Sequence, residues 1–132
     1  MKYNLLVKTD DSSFNIEIQY KRNEDSISLS FCIDGECRTI TAETTEYALL
    51  ALVDTLKEKC TICSCLTCRH GNFCPIGDHD NEIFCAKDIV TKCVSDIYHI
   101  TEDETERAKR VRTLFDVCSD FKPCSKEYFS YK

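Results

Sequence analysis

The 132-residue chain contains no tryptophan, one methionine, three glycines and two prolines. With so few glycines there is no Gly-rich phosphate loop, and neither Gly-x-Ser-x-Gly nor His-Glu-x-x-His occurs. No apolar run approaches the roughly 18 residues of a membrane span. The opening stretch, MKYNLLVKTDDSS, lacks a secretory h-region and cleavage site, which points to a cytoplasmic, reducing location. A cationic surplus is also missing. Lys and Arg number 17 against 23 Asp and Glu, the formal net charge is −6, and no third of the chain is net basic. Nucleic-acid backbones and anionic membrane surfaces need clustered Lys and Arg, so neither is an expected partner, and a protein partner is favoured. What remains, 42% apolar and 30% charged residues, is an ordinary globular balance.

One residue type is in excess. There are eleven cysteines, an odd number that rules out complete intramolecular pairing. Seven of them (Cys60, Cys63, Cys65, Cys68, Cys74, Cys85 and Cys93) crowd into a short stretch, which fits a local metal site better than scattered core positions.

The rest of the chain predicts an α+β fold: a four-stranded antiparallel meander packed on a helix, then a Cys-rich metal-binding loop, then C-terminal helices. Tyr3, Leu5 and Val7 alternate weakly with polar neighbours, and Phe14, Ile16, Ile18 and Tyr20 do so cleanly. Ile27, Leu29, Phe31 and Ile33 form a third alternating run. Asp34-Gly35 then marks a two-residue type I′ hairpin, because both central positions need φ > 0. That turn fixes the register, setting Ile33 opposite Glu36, Cys32 opposite Cys37 and Leu29 opposite Ile40. Cys32 and Cys37 then share the polar face with Ser28, Ser30 and Thr39. They form a possible exposed thiol pair, able to close a disulfide under oxidising conditions and not expected to hold metal.

Residues 44–59 predict a helix capped by Thr44, with Tyr47, Leu49, Leu50, Val53 and Leu56 as its apolar stripe. The spacing of Ala86, Ile89 or Val90, Cys93 and Ile97 suggests a short helix from Ala86. Thr101-Glu102-Asp103-Glu104 matches a capping box for a helix carrying Ala108, Val111, Leu114, Phe115 and Cys118 inward. Its Arg107, Lys109, Arg110 and Arg112 read as a solvated, salt-bridged face, with Asp103–Arg107 and Glu106–Arg110 as i,i+4 pairs. The expected divisions are 1–59, 60–85 and 86–132 within one compact domain.

The chemistry lies in Cys60-x-x-Cys63-x-Cys65-x-x-Cys68, then Cys74-Pro75-Ile76-Gly77, then Cys85. A Cys-x-x-Cys turn points two sulfurs at one ion. Cys65, Cys68, Cys74 and Cys85 are the expected ligands of a structural zinc. Cys60 and Cys63 are an alternative first pair, and a binuclear cluster would recruit Cys60, Cys63 and Cys93. The same all-Cys set suits a [4Fe–4S] cluster, so an iron–sulfur protein serving electron transfer or an enzyme complex is the alternative. His70, His79, Asp78, Asp80 and Glu82 read as solvated loop residues, His99 as structural and Cys118 as a small core residue. Cys124 has no evident partner. A thiol oxidoreductase is disfavoured because Cys60 and Cys63 follow a helix C-terminus, whose partial negative charge opposes a thiolate. Enzymatic activity is not expected.

Overall fold

The alternating runs become strands β1 (Lys2–Lys8), β2 (Ser13–Arg22), β3 (Ile27–Ile33) and β4 (Glu36–Ala42), an antiparallel meander. In this computed structural model, residues 1–77 and 79–132 are described. Leu5, Val7, Ile16, Ile18, Ile27, Leu29, Phe31 and Ile33 are all buried, as strict alternation requires of a sheet with one dry face. The hairpin turns where expected, with φ of 51° at Asp34 and 80° at Gly35. Its register pairs Ile33 with Glu36, Cys32 with Cys37 and Leu29 with Ile40. On the polar face, Ser30 meets the Thr39 hydroxyl at 2.9 Å. Beside that pair Cys32 and Cys37 are both exposed and are joined as a disulfide across Cα atoms 4.0 Å apart.

Helix α1 (Thr45–Leu56) follows, its first turn capped by Thr44, whose hydroxyl accepts the Tyr47 N–H at 3.2 Å. The buried face differs from the expected stripe. Thr45, Ala48, Leu49, Leu52 and Leu56 turn inward, whereas Tyr47 and Leu50 are exposed. The reason is geometric: 45, 49, 52 and 56 with Ala48 form one continuous i, i+3/i+4 ridge, and Tyr47 and Leu50 flank it. The helix packs on β3 and β4. A fifth strand, β5 (Thr61–Cys63), pairs with β1 and gives the sheet order β4-β3-β2-β1-β5. Met1–Cys63 is one compact unit and Ser64–Lys132 a second.

The second unit holds a small antiparallel sheet of β6 (Gly71–Asn72), β7 (Ile83–Cys85) and β8 (Val111–Arg112), in the order β6-β7-β8. Two helices, α2 (Val94–Glu102) and α3 (Glu104–Arg110), lie between β7 and β8 in sequence. Both correct the sequence reading. No helix starts at Ala86: α2 begins at Val94 with Cys93 as its N-cap, and Asp96 accepts the N–H groups of Lys92 (2.8 Å) and Cys93 (3.3 Å). Thr101 is not a cap but sits buried within α2, donating to the carbonyl of Ile97 at 3.1 Å. Asp103 caps α3 instead, one carboxylate oxygen accepting from both Thr105 and Glu106.

The expected long helix stops at Arg110. Val111 and Arg112 pair with Phe84 and Ile83, and this cross-strand ladder outbids further helix. Leu114 and Phe115 are nevertheless buried, from irregular chain. Cys118 is exposed rather than in the core, because the chain leaves the helix at Arg110 and its helical spacing no longer applies. Of the two expected ion pairs, Glu106–Arg110 forms at 3.1 Å. Arg107 reaches Glu82 rather than Asp103, whose carboxylate is committed to the cap. Arg110 also clamps Asp88 with two nitrogens and donates to the Cys85 carbonyl at 3.1 Å. Among the described residues no helix is long and apolar enough to cross a membrane.

Candidate metal centre

Residues 64–71 build a tight backbone turn. Ser64 and Thr67 close its start: the Thr67 hydroxyl accepts the Ser64 N–H at 3.0 Å and donates to the Ser64 carbonyl at 3.1 Å. The Cys68 N–H then reaches the Cys65 carbonyl at 3.4 Å, and the Gly71 N–H reaches the Cys68 carbonyl at 3.1 Å. Gly71 pairs with Cys85 of β7, so the turn and the strand meet at a residue with no side chain. A Cβ at Gly71 would stand 2.1 Å from the Cys65 carbonyl oxygen, closer than any real contact. The missing side chain is therefore what lets the Cys65 turn approach the Cys85 strand.

A third segment, residues 113–124, lies against the same turn. The Cys65 N–H donates to the Asp116 carbonyl at 2.6 Å and the Arg69 N–H to the Lys122 carbonyl at 2.8 Å. Cys68 bridges to Pro123. On the β7 side, Lys87 forms an ion pair with Asp120 at 2.9 Å. That carboxylate raises the Lys87 pKa, while Lys87 lowers that of Asp120.

Together these contacts surround a cavity of about 20 Å³ lined by Ser64, Cys65, Cys68, His70, Cys85 and Cys118, with Gly71, Val117 and Phe121. Space of that size takes one water or one ion. Burial, then the charges of Asp116, Cys85, Cys68 and Cys118, push the Cys65 thiol up to about 12. Without a cation it is a neutral thiol. Burial and neighbouring Arg69 lower the His70 pKa, which favours the neutral ring a metal would accept. The Ser64 hydroxyl is buried with no hydrogen-bond partner. Among the described residues, no three His, Cys, Asp or Glu side chains stand as a ready-made metal-holding group.

No family model matches this chain, and no curated protein or solved structure is significantly similar to it. Its chemistry rests on its own geometry.

The cysteines singled out from the sequence do not all meet. Cys65, Cys68 and Cys85 line the one cavity; Cys74, 5% exposed, does not line it. Cys60 and Cys63 belong to the N-terminal unit, one just before and one within β5, and burial raises the pKa of both. Cys93 is exposed at the head of α2, its Sγ 3.7 Å from Asp96. Cys124, without a named partner in the sequence, donates to the Thr67 carbonyl at 3.4 Å and receives Lys132 at 3.3 Å. His79 and Asp80 are exposed, Glu82 is half-buried beside Arg107, and Asp78 lies outside the described residues. His99 is exposed and meets Glu102 at 3.1 Å. Cys118, which helical spacing placed in the core, also lines the cavity. The ion pair and backbone bonds that turn residues 113–124 toward the cysteines leave no local pattern in the sequence.

Proposed function

We propose that residues 64–132 form a zinc-binding module, in a protein of the reducing cytoplasm, whose metal is structural and whose folded surface serves a protein partner. One observation carries the reading: Cys65, Cys68 and Cys85 line a single cavity with room for one ion. The donor chemistry fits, since thiolates in a closed set are the ligands of structural zinc, at Zn–S distances of about 2.3 Å. The orphaned Ser64 hydroxyl also fits, because a buried hydroxyl costs about 1–3 kcal/mol unless it finds an acceptor such as a metal-bound thiolate. Zinc supplies no redox chemistry here; it ties the ends of an irregular chain together. The turn, β7 and the 113–124 segment each contribute thiols to the lining of that cavity, and the metal would neutralise thiolates that otherwise repel.

The partner reading draws support from a cleft of about 370 Å³ near the turn, lined by Arg69, His70, Lys87, Val90, Lys92 and Tyr128 among others. Val90 is 80% exposed there, and the Arg69 guanidinium lies 3.9 Å from the centre of the Tyr128 ring. Elemental analysis of protein purified without oxygen tests the metal. One zinc per chain in a colourless sample is expected. A brown sample with iron and absorbance near ~400 nm would replace zinc by a cluster, and metal-free protein would end both readings.

A further inference from the structure

We propose that Cys118 is a zinc ligand, so that the ion is held by Cys65, Cys68, Cys85 and Cys118 while Cys74 stays outside the coordination shell. This rests on the zinc-binding reading above and names the site's ligands. The resulting spacing, Cys-x2-Cys-x16-Cys-x32-Cys, is too long-range to be recognised as a motif.

Two independent observations place Cys118 at the site. It lines the cavity with the other three thiols, and the chain on either side of it is tied down. Asp116 accepts from the Cys65 N–H and Lys122 from the Arg69 N–H, so the segment carrying Cys118 is held at both ends by the turn that carries Cys65 and Cys68. Asp120 is held by Lys87, two residues beyond Cys85. Cys118 thus lies between anchors to both of the other ligand segments. Phe121 donates its N–H to the Cys118 carbonyl at 3.2 Å, closing a turn at the cysteine itself. In the same lining, the buried Ser64 hydroxyl has no hydrogen-bond partner and could donate to a metal-bound thiolate.

Cys74 follows strand β6, which is tied to Cys68 and Cys85 through Gly71, yet it is not among the residues that line the cavity. It follows Phe73, whose N–H is bonded to the Tyr131 carbonyl at 2.8 Å, and its burial suits a small apolar side chain. Cysteine has one side-chain torsion with three staggered wells. As they stand, no three of these side chains form a metal-holding group among the described residues, so binding would require the four thiols that line the cavity to turn toward one point by change of rotamer. On binding Zn²⁺ the four thiol protons leave to solvent and a ZnS₄ centre of charge −2 remains.

The test uses the full chain loaded with zinc under reducing conditions. Zinc stoichiometry and retention against a competing chelator are measured for the native protein, Cys118→Ser and Cys74→Ser. Loss of even an outer partner of a metal ligand costs about 10–100-fold in affinity, so Cys118→Ser should weaken retention by more than about 100-fold. Cys74→Ser should change it less than about tenfold.

Pulsed alkylation of the native protein, read by mass spectrometry, covers the case in which a variant fails to fold. Cys118, Cys93 and Cys124 are all exposed, and zinc should protect Cys118 alone among the three. If the native protein holds zinc but Cys118 alkylates as fast as Cys93, or Cys118→Ser retains zinc like the native chain, Cys118 is not a ligand and the zinc reading stands. If the native protein takes up no zinc, the reading itself fails and the ligand assignment with it.

Discussion

Replacing Gly71 by alanine tests the architecture of the site without touching a thiol. The new Cβ would lie 2.1 Å from the Cys65 carbonyl oxygen and 2.9 Å from Ile83 Cδ1, against about 3.5 Å for comfortable contact. Ile83 can yield by turning its side chain. The carbonyl cannot, because the Cys65 peptide is part of a turn fixed by the Cys65–Asp116 and Cys68–Cys65 bonds. Gly71 is also held on its far side, where its carbonyl accepts the Ser130 hydroxyl at 2.7 Å. Overpacking of this kind costs about 1–3 kcal/mol, occasionally more. Alanine's smaller unfolded-state entropy returns about 0.4–1 kcal/mol only where it fits without strain, which it does not here. A net loss of about 2–3 kcal/mol is expected.

Urea unfolding followed by far-UV circular dichroism would read the loss, and amide exchange would locate it. Exchange should rise across residues 64–72 and 83–87, while Ile16, Ile18 and Leu29 in the N-terminal unit keep their protection. An unchanged unfolding midpoint with unchanged exchange at 64–72 would refute the close approach of the turn to β7.

Metal removal should act on the same unit. A structural zinc contributes about 10–16 kcal/mol in small modules, so a strong chelator should abolish exchange protection across residues 64–87 and leave residues 14–56 protected. Full protection at 64–87 after complete metal removal would count against a structural ion. Under oxidising conditions, replacing both Cys32 and Cys37 by serine removes a cross-link spanning a separation of five residues. So short a loop is worth about 2 kcal/mol in chain entropy. The doubly substituted protein should therefore still fold, with a urea midpoint only modestly lower; loss of the sheet would contradict this. Asp96 gives a pH signature. The Lys92 N–H, followed by the Cys93 N–H, lowers its pKa. Its contribution is therefore present above the unfolded value of about 3.9 and is lost as pH falls through the lower folded value. The Lys92 and Cys93 amide resonances should titrate together below about pH 4, and Asp96→Asn should remove that inflection. An inflection at the free-carboxylate value would show that the two bonds do not favour the ionised form.

Local chemistry made much of the N-terminal unit legible in the sequence. Alternation at Ile16, Ile18, Ile27, Leu29, Phe31 and Ile33 places a dry face on strands, because side-chain direction reverses at every residue. Asp34-Gly35 settles register for the same reason: only a turn with two positive φ values joins these strands in two residues. The position of Cys32 opposite Cys37 then follows without any knowledge of the rest of the chain. At α1 the Thr44 cap was legible but the buried face was not. Periodicity finds a broad stripe, whereas packing on the sheet selects the ridge through Ala48 and Leu52.

In the second unit the balance reverses. Leu114, Phe115 and Cys118 fit a helical spacing, yet the helix ends at Arg110 because Val111 and Arg112 gain strand partners nearly thirty residues away in sequence. The cysteine cavity is decided in the same way. Sequence by itself determined that thiols crowd into residues 60–93, and that a Cys-x-x-Cys turn sits among them. Which thiols share a cavity depended on contacts no local window contains: Gly71 against the Cys65 carbonyl, Asp116 accepting from Cys65, and Lys87 paired with Asp120. Spacing describes how the chain can bend over a few residues, and tertiary structure alone brings Cys118 beside Cys65, because that meeting is made by bonds between segments about fifty residues apart.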